Sequence, residues 1–518
     1  MQLTTRWCRW AARPTLVFML TIPCAVQSHA QDRFGSRSVP VGEWSYEYIK
    51  RLRTRGYLDN LVPIAQPYRR HDIARGLVDL DPDTIPLPDA DWIRLLQAEF
   101  QREIERIRGD EVRPWGIPVT ADLRASSSQR TDPQRPLGDA DVWGRYTAGA
   151  WVEQGVFSSE ARLSFDQQLE SDPDGAIDQG RMGRVDNGYL SLSFSFADVW
   201  FGRLKHNWST LGTRSVFLSD IPTAYPALSF EIRVGRFALR SLTGELEMFA
   251  DSVGSRYKRY VAAHRLEYRT KNFVASLGDG ILSASTSGFM LRFLNPLEGA
   301  ILQVSTRVSG GPNETRDNVM LDAQLWGRLG GVELYGQFLG DDLDVHPEGD
   351  AEPFTYAFTV GARIPTLTSW LELGGEYAQV SAWSYRAPGG QDNWTFLNRG
   401  LGENFTDFDR LTLSADLFVW LPGLQLTPTF QFQRQGEGDF RDPVPPREIH
   451  VQSPALFLGV VERSVRFALK GRYQPNRFLW LAWDVGANVV DNAGNVDGAS
   501  RTDFEGIVGA GLSLNLPF

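Results

Sequence analysis

The sequence predicts a transmembrane antiparallel β-barrel of about 18 strands preceded by a small α-helical unit. Three observations carry that fold class: a leader-like N-terminus, a change to period-two patterning from about residue 117, and a last alternating run, VGAGLSLNLPF, that ends on Phe518. In extended backbone successive side chains face opposite ways, so Val508, Ala510, Leu512, Leu514, Leu516 and Phe518 share one face while glycines and polar residues take the other.

Arg6, Arg9 and Arg13 precede the apolar run TLVFMLTIPCAV, and small residues at Ser28 and Ala30 suit a cleavage site. This is the form of a secretory signal peptide over 1–30, too short to span a bilayer. Both cysteines, Cys8 and Cys24, fall inside it, so the mature chain is expected to carry neither a disulfide nor a cysteine-held metal. The formal charge is −10; without the three leader arginines, 50 bases stand against 63 acids, or −13. A net acidic chain argues against nucleic acid as a partner. After the leader no stretch reaches the roughly 20 apolar residues of a membrane helix, leaving a large secreted β-protein or a barrel.

Residues 31–115 read as a helical domain placed in the periplasm. Trp44, Tyr48 and Leu52 recur at helical spacing before Gly56, RRHDIARGLVDL suggests a second helix, and Asp91 to Arg108 carries one apolar face from Trp92 to Ile107. Residues 116–518 form the predicted barrel. Its clearest hairpin is RLTLSADLFVWLPGLQLTPTFQFQ, 410–433, apolar on one face and polar on the other around Pro422-Gly423. Weaker strands are expected at 198–204 and 287–295, with a further one at 299–309. Short turns (RLGGVE, IPTLTS, LPGL, YQPNR) alternate with long polar connections at 171–186, 205–228, 341–353, 381–407 and 436–455. Tight turns at one end and long loops at the other are what a membrane barrel shows. About 400 residues at roughly 22 per strand and loop make 18 strands. The last strand must then pair with the first, near IPVTADLRASS, because hydrocarbon tolerates no free edge. Trp200, Trp326, Trp370, Trp420 and Trp480 are expected to line interfacial girdles.

No catalytic, cofactor or metal motif is evident: the chain has neither HExxH nor GxSxG. His264, with Ser276 or Ser283, is the one constellation that could be imagined as a hydrolase site, and a lumen histidine in a polar network is the expectation preferred to it. Two long loops are more informative. RLKHNWSTLGTRSVFLSDIPTAYPAL and SAWSYRAPGGQDNWTFLNRGLGENF combine aromatics with amides, arginines and acids, the groups that stack on sugar C–H faces and bond hydroxyls or uronate carboxylates. The glycan-binding candidates are Trp208, Arg214, Asp220, Trp383, Tyr385, Arg386, Trp394 and Arg399. Inward folding of these loops, with the aromatics packing the barrel mouth, is the competing expectation.

VPVGEWSYEYIKRLRTRGYLDNLVPIAQPYRRHDIARGL, FGRLKHNWSTLGTRSVFLSDIPTAYPAL, HRLEYR and FLNPL resemble segments of the capsule assembly protein Wzi family, although the family's Trp-Gly reads Trp208-Ser209 here. The resemblance implies an 18-stranded barrel with a periplasmic helical bundle and a non-enzymatic role in holding or assembling surface polysaccharide. Its partners would be capsular or exopolysaccharide, outer-membrane lipid and lipopolysaccharide, and the barrel-insertion machinery. An alternative is a passive porin whose N-terminal helices anchor to the cell wall, with Arg203, Arg233, Arg236, Arg265 and Arg292 favouring anions.

Overall fold

The computed structural model describes residues 34–175, 183–250, 254–285, 291–296, 316–341, 354–365, 367–418 and 421–518. The leader, Trp420 and the strand expected at 299–309 lie outside them. Four helices come first: α1 (Ser45–Thr54), α2 (Arg70–Leu77), α3 (Asp89–Glu99) and α4 (Gln101–Arg108). The single helix expected from Asp91 to Arg108 breaks at Phe100, whose ring is fully buried; there the Glu99 carbonyl accepts a bond from Arg70 Nη2 (2.7 Å).

Eighteen antiparallel strands then close on themselves. They run β1 (Trp115–Ser126), β2 (Asp141–Gln154), β3 (Phe157–Asp166), β4 (Gly183–Ser193), β5 (Ala197–Arg203), β6 (Pro226–Val234), β7 (Phe237–Ala250), β8 (Arg256–Arg269) and β9 (Phe273–Ser285). The circuit continues with β10 (Arg316–Leu329), β11 (Val332–Asp341), β12 (Thr355–Ile364), β13 (Leu371–Val380), β14 (Phe408–Leu417), β15 (Leu424–Gln435), β16 (Glu462–Tyr473), β17 (Leu479–Asp491) and β18 (Ser500–Pro517). Residues 291–294 of the weak run at 287–295 form a single 3-10 turn instead of a strand.

The closing seam pairs Gly116–Ser126 of β1 with Ile507–Pro517 of β18, and Phe518 stacks on Trp115 with ring centroids 5.1 Å apart. Side chains follow the period of two, turned inside out relative to a water-soluble protein. On β10, Gln324 is 1% exposed while its neighbour Leu325 is 57% exposed. Outward Leu, Val and Phe form an apolar exterior, the condition for facing hydrocarbon.

The same alternation corrects the girdle expectation. Trp370 faces outward, but Trp200 and Trp326 are buried in the lumen because their neighbours Phe201 and Leu325 hold the outward positions; Trp480 also faces inward. The outward aromatics at or near strand ends include Trp115, Phe194, Phe196, Phe237 and Phe478.

The short turns gather at one end, as between β10 and β11, where Gly330 and Gly331 both take positive φ (59° and 80°) and match the twist of the flanking strands. The helical unit seats on this end. Arg55 donates to the Thr368 carbonyl (2.8 Å), Tyr48 to that of Gly423 (3.3 Å), and Arg477 of a turn reaches the Ala98 carbonyl (2.8 Å).

Its arginines also lie over aromatic rings of the wall. Guanidinium carbons sit 4.0 Å from the ring centre for Arg37 on Trp151, 4.5 Å for Arg69 on Trp200, 4.5 Å for Arg53 on Trp326 and 3.6 Å for Arg51 on Phe418. Arg37 further pairs with Glu153 (3.4 Å) and Arg69 with Asp198 (3.0 Å).

Inside the unit, Arg70 Nε donates to Glu103 (2.9 Å), and Arg102 and Arg37 approach the same carboxylate at 3.3 and 4.0 Å. Burial pushes the Glu103 carboxyl up, but these guanidiniums, Arg70 foremost, outweigh it and hold the group at about 2.

Two outcomes follow. Removing residues 508–518 leaves an edge of β1 without partners, where each unpaired backbone group in hydrocarbon costs several kcal/mol; the truncated chain should lose the heat-modifiable gel mobility of a folded barrel. Because Glu103 is depressed below its unfolded value of about 4.3, its stabilisation is complete above that pH and is lost as pH falls toward about 2. Protease protection of the helical unit should hold at pH 5–8 and weaken below about 4.5, less steeply in Glu103→Gln.

Candidate functional site

The connection 204–225 between β5 and β6 does not stand out from the barrel. It descends through the lumen to the helical unit, where Asn207 and Gln66 exchange backbone bonds (2.9 and 3.1 Å) and Leu211 N–H donates to the Pro63 carbonyl (2.7 Å). The loop 381–407 between β13 and β14 packs on it: Ser219 N–H donates to the Leu401 carbonyl (2.7 Å). Together they make an apolar core within the barrel, in which Val216, Phe217, Leu218 and Leu401 meet inward wall residues such as Val261, Leu282, Met320 and Leu339.

This core consumes most of the aromatic candidates. Trp394 is fully buried, stacks on Phe217 (5.6 Å, 14°) and donates Nε1–H to the Phe217 carbonyl (2.9 Å). Tyr385, at φ 71°, is likewise buried and donates to the Val216 carbonyl (2.5 Å). Trp208 packs at 6.2 Å from Phe217, with Arg265 5.0 Å from its ring. Trp383 donates to the Pro454 carbonyl (3.1 Å) beneath Arg386, whose own donors go to the Asp442 and Pro443 carbonyls (3.0 and 2.7 Å). These five side chains hold the loops to one another.

The remaining three candidates face open space. Arg214 and Arg399 line one cavity of about 740 Å³, and Asp220 lines a second of about 550 Å³. The larger cavity runs from Arg130 and Asp132 of the long-loop end down to Glu47 and Lys50 of α1. Its wall side is the polar face of the hairpin singled out in the sequence, Thr427, Thr429 and Gln431 among it. Arg214 has a 45% exposed side chain and a loose pair with Glu403 (3.4 Å), whereas Arg399 is engaged with Asp172. Arg363, Arg410, Lys470 and Arg472 add to the cationic lining; none belonged to the sequence-based candidates.

Of the arginines considered for an anion path, Arg265 and Arg233 are ion-paired with carboxylates and Arg203 is bonded to a carbonyl. Arg265 and Asp322 are both fully buried at 2.6 Å, Arg233 binds Asp198 (2.5 Å), and Arg203 donates to the Ala224 carbonyl (2.9 Å). Arg236 is exposed in the turn between β6 and β7, where it reaches Tyr268 Oη (3.3 Å), and the side chain of Arg292 is outside the described residues. His264 bonds Asp279 (3.0 Å) while Ser283 donates to Asp317 (2.6 Å), so those two residues have separate partners. Among the described residues no group of three His, Cys, Asp or Glu side chains is arranged to hold a metal ion.

Trp394→Ala should therefore act as a core deletion, costing about 3–5 kcal/mol and exposing 204–225 and 381–407 to protease. Arg214→Ala, at a side chain that is 45% exposed and only loosely paired, should shift stability by no more than about 0.5 kcal/mol; thermal unfolding in detergent separates the two.

No protein-family model matches the sequence, and no curated protein matches it. Among solved structures it is similar to Wzi, an outer-membrane protein involved in group 1 capsule assembly in Escherichia coli and a carbohydrate-binding β-barrel: 12% identity over 93% of this chain and 99% of that one, TM-score 0.60. It is less similar to Pseudomonas aeruginosa OccK3 (13% identity, 78% and 96% of the two chains, TM-score 0.45) and Acinetobacter baumannii OccAB1 (10%, 78% and 96%, TM-score 0.45). Identities this low speak to the fold alone, and the fold is that of an outer-membrane barrel.

Proposed function

We propose that the protein is exported by its leader 1–30 and sits in the bacterial outer membrane with the helical unit in the periplasm. There it binds surface polysaccharide, capsular or exopolysaccharide, and helps assemble or retain it. It does so as a binding protein and not as an enzyme. The observation that carries this reading is the filling of the lumen: among the described residues a helical unit sits over one end, two long loops fold inward, and the larger polar cavity reaches α1. A passive pore needs a continuous aqueous path. Arg214, Arg399 and Arg410, with the Thr and Gln hydroxyls and amides of the wall, supply donors for sugar hydroxyls and carboxylates. Weak contacts of this kind hold a polymer through many repeats. The likeness to a carbohydrate-binding barrel is consistent with the reading.

The test has two arms. In planar bilayers the purified protein should show no large steady conductance. Cells lacking the gene should shed polysaccharide that wild-type cells retain, and the Arg214→Ala/Arg399→Ala double variant should shed an intermediate amount. Equal retention with and without the gene would overturn the proposal, and a large steady conductance would favour the porin.

A further inference from the structure

Four tryptophans of the barrel wall turn inward near the helical unit, and three of them are capped. Trp151, Trp200 and Trp326 lie 4.0–4.5 Å beneath arginines 37, 69 and 53. Trp480 on β17 has no guanidinium closer than 5.9 Å to its ring centre. Its indole lies against the wall over Gly509 and Gly511 of β18: a Cβ at Gly511 would stand 2.5 Å from Nε1 and Cε2, and one at Gly509 would stand 3.3 Å from the far side of the ring. Glycine at both positions leaves the backbone bare enough for the ring to lie flat. Trp480 is half-buried and lines the 550 Å³ cavity.

Two guanidiniums flank this ring, each with its carbon 5.9 Å from the ring centre, well beyond the 4.0 Å of Arg37 on Trp151. Arg124 is paired with Asp122 (2.8 Å). Among the described residues Arg472 makes no ion pair within 4.0 Å and no side-chain hydrogen bond; the carboxylate of Glu47 on α1 interacts with it only at longer range. The nearby Asp484 is already engaged by Arg466 (2.8 Å) and Lys470 (3.4 Å). Arg472 also lines both cavities, at their junction.

We propose that Trp480 is the floor of a sugar subsite in the lumen, with Arg472 as its carboxylate anchor, and that it takes a single carboxylate-bearing pyranose, a hexuronate residue. An indole face open to a cavity of this size suits the C–H face of one sugar ring. An arginine at its rim that makes no close ion pair among the described residues can take a carboxylate with the geometry of a charge-assisted bond. Thr120, Thr147 and Ser513 of the same cavity offer hydroxyls to the remaining oxygens. The choice of a sugar rests on the glycan reading given above; the position and charge preference rest on Trp480 and Arg472 themselves.

The test uses the full chain in detergent micelles and ligand-observed NMR with D-glucuronate, D-glucose and acetate. Glucuronate should bind at least about tenfold more tightly than glucose, a difference of about 1.4 kcal/mol. Arg472→Gln should bring glucuronate to the level of glucose and leave glucose unchanged, while Trp480→Ala should weaken both at least about tenfold and Trp480→Phe should retain most of the binding. Heat-modifiable mobility confirms that each variant is folded. Unchanged glucuronate binding in Trp480→Ala or Arg472→Gln overturns the subsite. So does displacement of glucuronate by equimolar acetate, which would mark a simple anion site. Loss of glucuronate binding in both variants supports the subsite even where cells carrying them still retain their polymer, so its fate is separable from that of the surface role.

Discussion

The constraint on which the rest depends is that hydrocarbon offers no hydrogen-bond partner to a backbone. Each strand edge must therefore find another strand, and a chain of 18 strands satisfies this only by returning its last strand to its first. The pairing of Gly116–Ser126 with Ile507–Pro517 is the step that removes the final two edges. Once the ring is closed, alternation assigns the faces: one side chain in two meets lipid and the other meets an enclosed lumen.

An enclosed lumen lined by charge poses a second problem, since buried charges are costly unless paired and hydrogen-bonded. The chain answers with arginine. Its guanidinium combines a planar apolar face with several fixed donors, so a single side chain from the helical unit can lie on a wall tryptophan and pair with a wall carboxylate, as Arg37 does with Trp151 and Glu153. Repeated at Arg69 with Trp200 and Asp198, this ties the helices to well-separated strands around the ring. Deeper in, Arg265 and Asp322 form a fully buried pair whose guanidinium also bonds the Ile64 and Trp208 carbonyls (3.2 and 3.0 Å), linking wall, helical unit and inward loop. The inward loops then supply an apolar core inside the cylinder, beside which lie the polar cavities.

Much of this was legible from local pattern. The 410–433 hairpin pairs Leu411 with Phe432 and Leu413 with Phe430 as its alternation requires, and its polar face lines the larger cavity. The terminal run is the closing strand. The inward direction of Trp200 and Trp326 was also readable, from Phe201 and Leu325 beside them, but a residue's place near a strand end was the weaker guide. The fate of Trp208 and Trp394 was not readable: an aromatic on a long polar loop looks the same whether it faces solvent or packs under another loop nearly two hundred residues away.

The sequence by itself determined the fold class, the alternation of short and long connections and the need for a seam, because strand periodicity and turn chemistry are properties of neighbouring residues. Only the tertiary structure decided which loop aromatics are spent on packing, which arginines are left without a close ion pair, and where the open space lies. Those outcomes depend on contacts between segments far apart in the chain, such as Asn207 with Gln66 and Trp394 with Phe217, and no local pattern encodes them.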